Sequence, residues 1–371
     1  ILHENASING RTRYPYNCYY TTYSVALSSP ADVETAVSAA KKALPSWSNL
    51  TVKARTAYLL KFYALVQKHA DELADLIVLE NGKNKTEALA DVAKGNETVE
   101  YACGLRELLP GKNLQVSSEV SCRDRRDALG VVVSIVPFNF PFMVPMWTIP
   151  IALICGNTVV LKPSEKVPLT MRRTAELLME CGLPKGVFNM VQGKADVVNA
   201  LVDHPDVKAV TFVGSSPVAS IVSSRCRALN KRCTALGGAK NHLVALPDCE
   251  VQSAASDIVV SFAGCAGQRC MAASVLILVA SDETHHNELL NLVIEKARKI
   301  LPGVDPGQMG AVIDQISKQK ILSYIKQAEE KEDAEILLDG REWNALSSEF
   351  IKQNKDGSWI GPTVIRHKSP E

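Results

Sequence analysis

The sequence predicts an α/β protein, a parallel sheet followed by a second α/β unit, on three observations. From Gly130 onward, short β-branched runs (GVVVSIV, NTVVLKP from Asn157, VFNMVQG from Val187 and VKAVTFVG from Val207) are each followed by a stretch of helical character. That alternation is what parallel strands joined by right-handed crossovers produce. Upstream of it, apolar residues recur with helical spacing over much of residues 30–109. The chain also has 371 residues, 46% of them hydrophobic, which is enough to bury a large core and long enough to expect two domains. We divide it into residues 1–236 and 237–371.

The elements follow in order. Residues 1–25 are aromatic and polar without a clean period and read as an arm or edge strand. Ser29-Pro30-Ala31-Asp32 combines a capping residue, a proline at the first helical position and an acid in the first turn, so a helix should run from there to about Leu44. Helical periodicity returns over Lys53–Glu80 and Lys85–Leu109, with Asn81-Gly82 as the break. Helices are expected at about 143–155, 168–181 and 195–203, Gly182 stopping the second. Another should reach from Ser215 to about Asn230, with strands near Cys233 and His242. In the second unit a helix near 251–265 leads through the loop GCAGQRC into the strand SVLILV. Helices near 285–300 and 315–330 and the segments LDGRE and WIGPTVI come after it.

Composition narrows the function. Lys and Arg number 41 against 40 Asp and Glu, a formal charge of +1 with no basic block, so nucleic acid and anionic membranes are not expected partners. Leu129–Gly156 is uncharged and long enough to span a bilayer. Pro137, Pro141, Pro145 and Pro150 within it would break the hydrogen-bond ladder a lipid-facing helix needs. The ten cysteines form no CxxC pair and the seven histidines no HExxH, so no metal site is expected. The thiols read as mostly buried residues of a reducing, intracellular compartment.

Four places could carry chemistry. Cys270 follows Ala266-Gly267-Gln268-Arg269, a small-residue loop beside one cation, where a thiolate would be favoured; a lone loop cysteine can equally be structural. Asn139, in Pro137-Phe138-Asn139-Phe140-Pro141 at the end of a predicted strand, could donate to a developing oxyanion or simply bond its own turn. Lys162 and Glu165 in KPSEK could grip vicinal hydroxyls, as on a ribose, or mark an exposed helix entry. Gly214 and Ser215 in FVGSS would let backbone and a helix N-terminus approach a phosphate, although the stretch is not a GxGxxG fingerprint.

Taken in order, PFNFP, LKPSE, GLPKGVFN, FVGS, GGAKNH and GQRCMA resemble the aldehyde dehydrogenase superfamily, and within it the CoA-acylating methylmalonate-semialdehyde dehydrogenase branch. The resemblance implies a modified doubly wound sheet for NAD and an α/β catalytic domain. It assigns the nucleophile to Cys270 and the oxyanion donors to Asn139 and the Cys270 N–H. It puts cofactor contacts at Val136, Phe138, Lys162, Glu165, Lys166, Gly214 and Ser215. Arg269 and Lys94 stand where that branch holds the substrate carboxylate, Lys94 in place of an arginine and so without its two-point grip. Ala219 replaces a glycine of the phosphate turn, a change expected to be tolerated.

Hydrolytic members carry a glutamate base where this chain has Leu236, which cannot take a proton from water, so deacylation by the coenzyme A thiol is favoured. The implied reaction is NAD-dependent oxidation of methylmalonate or malonate semialdehyde, giving propionyl-CoA or acetyl-CoA and CO2. A homo-oligomer formed in part through a hairpin near 114–127 is implied, as is the mitochondrial matrix or bacterial cytoplasm. Family chains continue into an E-x-F-G-P segment not found here, and an NPATGE-like stretch is missing near the start. The sequence therefore reads as a fragment or a shortened paralogue. The alternatives are a dehydrogenase of another aldehyde and a catalytically impaired cofactor-binding relative.

Overall fold

A computed structural model describes residues 25–279, 283–331, 333–343, 350–352, 354 and 357–367. The expected N-terminal arm falls outside these except for Val25. Cα packing divides the described chain into two units, one comprising residues 25–80 and 89–237, the other 81–88 and 238 onward.

In the first unit, α1 (Pro30–Ser48) begins as its capping signal requires: Asp32 N–H donates to Ser29 Oγ at 3.3 Å, and Ser29 N–H donates to the Asp32 carboxylate at 2.7 Å. It passes Leu44 and continues through Pro45, because Trp47 beyond is buried and donates its indole N–H to the Leu153 carbonyl at 3.1 Å. The expected stretch 53–80 is two helices, α2 (Val52–Lys68) and α3 (Ala70–Asn81). His69 separates them, closing one with its N–H on the Leu65 carbonyl and opening the next by accepting from Leu73 N–H. The break at Gly82 has φ +84°, and α4 (Lys85–Gly104) follows. A hairpin of β1 (Asn113–Gln115) and β2 (Ser121–Arg123) is exposed throughout.

The sheet then forms from β3 (Val131–Ile135), β4 (Thr158–Lys162), β5 (Phe188–Met190), β6 (Val207–Val213) and β7 (Arg232–Leu236). All neighbours are parallel, in the order β5-β4-β3-β6-β7. β3 and β4 are buried along their whole length, as central strands covered on both faces must be. One face packs on α1, α8 (Ala195–Asp203) and α9 (Ser216–Ala228) through Val33, Val37, Leu201 and Val222. Buried Asn157 aligns the start of β3, its Oδ1 accepting from Leu129 N–H at 2.7 Å and Gly130 N–H at 3.1 Å. The expected single helix over 143–155 is instead α5 (Met143–Met146) and α6 (Ile149–Ile154). Pro150 brings no N–H to bridge them, and Trp147 and Thr148 close three-residue bonds to Val144 and Pro145. α7 (Leu169–Glu180) ends at Gly182, φ +85°.

The second unit pairs β8 (Asn241–Ala245) with β9 (Ala273–Leu278) in parallel. α10 (Val251–Ala263) and α11 (Glu283–Arg298) pack on this pair through Ile258, Val259, Leu289 and Val293. α12 (Gln315–Glu329) follows, and β10 (Ala334–Leu338) pairs antiparallel with β11 (Val364–His367).

None of the nine described cysteines is in a disulfide among the described residues. Burial is less general than the composition implied: Cys181, Cys226 and Cys265 are buried, Cys122 is exposed on the hairpin, and the other five are half-buried.

Glu80, at the end of α3, caps α7 from a distance: its carboxylate accepts from Leu169 N–H at 2.6 Å, Thr170 N–H at 3.0 Å and the Thr170 hydroxyl. Burial pushes this carboxyl up from 4.5 to about 7 against the pull of those three bonds. The folded chain therefore holds a proton that the unfolded chain has lost, and stability from this group falls as pH rises from 4.5 to about 7. Thermal unfolding across that range should show a falling midpoint in the parent chain and a much flatter one in Glu80→Gln.

Candidate active site

In the first unit the register brings three strand ends side by side, Ile135 opposite both Lys162 and Phe212. Ligands of open α/β sheets collect at such carboxyl ends. Val136 extends the ladder by donating its N–H to the Lys162 carbonyl at 3.2 Å. The Lys162 ammonium is buried, donating to the Gly193 carbonyl at 2.9 Å and lying 3.5 Å from Glu165 Oε2. Burial pushes its pKa down while Glu165 opposes that shift. Two of the three donors of an ammonium are thus directed into the protein, and Glu165 keeps acceptor capacity toward solvent. Lys166 lies over the Phe138 ring, 5.4 Å from its centroid.

At the neighbouring strand end, Gly214 donates its N–H to the Leu236 carbonyl, and Ser215 caps α9 with its backbone alone. The positive end of the α9 dipole is therefore exposed beside that turn. Ala219 is buried within α9, in the core under the sheet. Asn139 is half-buried in the loop after β3. Val136, Phe138, Asn139, Lys162, Glu165, Lys166, Gly214 and Ser215 thus share the carboxyl edge of one sheet. A donor and an acceptor fit for a ribose diol stand next to a helix N-terminus fit for a phosphate, and these residues suit a dinucleotide.

The second unit holds Cys270. α10 ends at Ala263, and the chain then winds left-handed through Cys265 (φ 55°), Ala266 (φ 53°) and Gly267 (φ 72°). For the two residues with a Cβ this conformation costs about 1–2 kcal/mol each. Packing and hydrogen bonds hold it: Ala266 lies against two small clusters that include Met309, Trp359, Val312 and Ile360. Gln268 donates N–H and Nε2 to the Cys265 carbonyl, while its Oε1 accepts from Ile313 N–H at 2.9 Å. Cys270 comes in the turn after this run, half-buried, closed by Ala272 N–H on the Arg269 carbonyl. Asn241 Nδ2 donates to the carbonyls of Cys270 at 2.8 Å and Ala272 at 3.0 Å.

Arg269 turns its guanidinium onto the Glu87 carboxylate at 2.9 Å and the Val260 carbonyl at 3.3 Å. It crosses Gly264, where a Cβ would come within 2.4 Å of the guanidinium carbon, so a side chain there would push Arg269 from its present position. Lys94 is exposed on α4 and sits on both oxygens of Glu97 at 2.9 Å, a surface pair worth little energy. Among the described residues no group of three or more His, Cys, Asp or Glu could hold a metal ion, and no helix is long and apolar enough to cross a membrane.

Sequence reasoning missed Asn241, Glu87 and Gln268. Asn241 lay inside a motif without a stated role, Glu87 resembles any acid near a helix start, and Gln268 looks like a loop residue. Cys265, read as packing, proves to be the first residue of the left-handed run.

The family model for the aldehyde dehydrogenase family matches residues 10–371. The chain is 42% identical to malonate-semialdehyde dehydrogenase 1 of Geobacillus kaustophilus over 94% of its own length and 70% of that protein's. It is 44% identical to malonate-semialdehyde dehydrogenase 2 of Oceanobacillus iheyensis over the same shares. Among solved structures, methylmalonate-semialdehyde dehydrogenase (DddC) from Oceanimonas doudoroffii superposes with a TM-score of 0.91 at 36% identity, covering 100% of this chain and 74% of that one. A neighbour from Sinorhizobium meliloti 1021, complexed with NAD, gives 0.88 at 34%, covering 96% and 72%.

Asn241→Ala would leave the Cys270 turn without its side-chain anchor. We expect a loss of about 1–3 kcal/mol in urea unfolding and a lower turnover number with any aldehyde the parent oxidises, read in one preparation by denaturation and NADH absorbance.

Proposed function

The chain belongs to the aldehyde dehydrogenase family, and from that premise we propose that it oxidises malonate or methylmalonate semialdehyde with NAD, passing the acyl group to coenzyme A. The observation that carries this is the half-buried Cys270 held in a turn by Asn241 after a strained loop, the presentation a nucleophile needs. Cys270 Sγ attacks the aldehyde carbon, and the oxyanion that forms is stabilised by the Cys270 N–H, with the Asn139 amide in the role of second donor. Loss of hydride from that carbon leaves a thioester on Cys270.

Bound NAD supplies the hydride acceptor. Lys162 and Glu165 are the residues suited to its ribose hydroxyls, with Val136, Phe138 and Lys166 beside them and Gly214 and Ser215 toward its phosphates. Arg269 and Lys94 are the cations assigned to the substrate carboxylate, and each already carries a protein counter-ion, Glu87 and Glu97. A carboxylate substrate therefore shares rather than finds a bare charge. Leu236 at the position of the hydrolytic base leaves water without a proton acceptor there, which favours the coenzyme A thiol for release of the acyl group. The malonyl-type acyl group breaks its bond to the carboxylate, releasing CO2 as the carbon takes a proton in its place; the coenzyme A thiol then takes the acetyl or propionyl unit, with the Cys270 thiolate as leaving group.

The exposed hairpin carries Leu114, Val116 and Val120 on its surface, and we assign it to contact with a second copy of the chain. The free thiols fit a reducing compartment.

Malonate semialdehyde should be turned over faster than propanal, and coenzyme A should raise the steady-state rate. Cys270→Ala should lower NADH formation by about 10⁴-fold while NAD binding persists. Undiminished NADH production by that variant would remove the nucleophile assignment. Sedimentation equilibrium at micromolar concentration should show a dimer or larger, and Val120→Glu should shift it toward monomer.

A further inference from the structure

We propose that Glu87 is a positioning residue for Cys270: a single carboxylate oxygen that grips both sides of the left-handed loop presenting the thiol. The proposal rests on the reading of Cys270 as nucleophile and adds to it a residue that touches neither substrate nor cofactor.

The geometry begins at the start of α4. Asn84 caps this helix, its Oδ1 accepting from Glu87 N–H at 2.9 Å while its Nδ2 donates to the Gln308 carbonyl at 2.8 Å. In a capping box the acid at Glu87's position folds back onto the cap's own backbone N–H. Here it reaches outward. Glu87 Oε1 accepts from Cys265 N–H at 2.8 Å and from Arg269 Nη2 at 2.9 Å. Cys265 opens the left-handed run and Arg269 immediately precedes Cys270, so one atom fixes the two ends of the segment.

Energetics argue that this arrangement is kept for position. Glu87 and Arg269 have side chains only 17% and 27% exposed, and Glu87 Oε2 is buried without a hydrogen-bond partner among the described residues. A pair with its charges this far out of water and one oxygen unsatisfied is a poor source of net stability, because desolvation offsets much of the attraction. The loop, in contrast, needs external anchors, since two of its three left-handed residues carry a Cβ. Gln268 ties the Cys265 carbonyl, and Asn241 ties the carbonyls of Cys270 and Ala272 beyond the run. Glu87 alone among these three side chains bonds both sides of the run.

The test uses the full chain with NAD present and compares Glu87→Ala, which removes the acceptor, with Glu87→Gln, which keeps an Oε1 able to accept from both donors. Amide hydrogen exchange of the peptide spanning 264–272 should quicken about tenfold or more in Glu87→Ala and stay within about twofold of the parent in Glu87→Gln. The turnover number should fall about tenfold to a hundredfold in Glu87→Ala with the KM for NAD little changed, and Glu87→Gln should recover most of the loss. If Glu87→Ala does not fold, Glu87→Asp replaces it: one methylene shorter, it keeps the charge but cannot span both donors, and exchange in the same peptide should quicken.

Unchanged exchange and turnover in Glu87→Ala would overturn the proposal. So would a Glu87→Gln variant as loose and slow as Glu87→Ala, since charge rather than the double acceptor would then be what matters. A parent chain that makes no NADH from any semialdehyde would remove the proposed function, whereas the exchange comparison would still decide whether Glu87 clamps the loop.

Discussion

The structure around Cys270 depends on one constraint: the chain turns left-handed for three residues, ending two residues before the thiol we propose as nucleophile, and two of those three are not glycine. Local sequence preference opposes this winding by about 1–2 kcal/mol at each of them. The opposing stabilisation comes from groups remote in the chain, Glu87 on Cys265, Ile313 on Gln268 and Asn241 on Cys270. Hydrogen bonds of this kind contribute about 0.5–1.5 kcal/mol net, and more where a charge takes part. These bonds, with the packing of Ala266 on its neighbouring clusters, offset a backbone cost of similar size.

The cofactor side is built on the opposite principle. β3 and β4 are buried throughout and aligned residue for residue, and the groups we propose for the cofactor are the side chains that fall at and just beyond their last positions. Lys162 is the last residue of β4, and Val136 the first beyond β3. A sheet whose register is set by Val and Ile packing places such residues with the rigidity of the core, and no special loop is needed. The Gly193 carbonyl then takes one donor of the buried Lys162 ammonium, which keeps the cation tolerable where desolvation would otherwise penalise it.

Much of this was legible beforehand where physics is local. The Ser29–Asp32 cap, the stop at Gly82 and the strand segments of the parallel sheet are each signalled by patterns spanning a few residues, and each formed near where pattern placed it. Two helix bounds differ from expectation, for different reasons. α1 passed Pro45 because Trp47 found the Leu153 carbonyl, and the proline-containing stretch 143–155 broke in two because Pro150 lacks a donor for the second turn. Arg269, expected as a charge beside a thiol, is also paired with Glu87. Neither the Trp47–Leu153 bond nor the Arg269–Glu87 pair joins sequence neighbours.

By itself the sequence determined the order of elements, the parallel character of the sheet, and the identity of the side chains at the strand ends and at position 270. Those follow from periodicity, capping and residue chemistry, which act over one turn of helix or one step of strand. Tertiary structure alone decided which carboxylate meets Arg269, which amide holds the Cys270 carbonyl, and that Cys265 and Ala266 take a backbone conformation their side chains disfavour. A hydrogen bond between residues 87 and 265 leaves no trace in local composition, because its geometry exists only once the segments that carry it have packed.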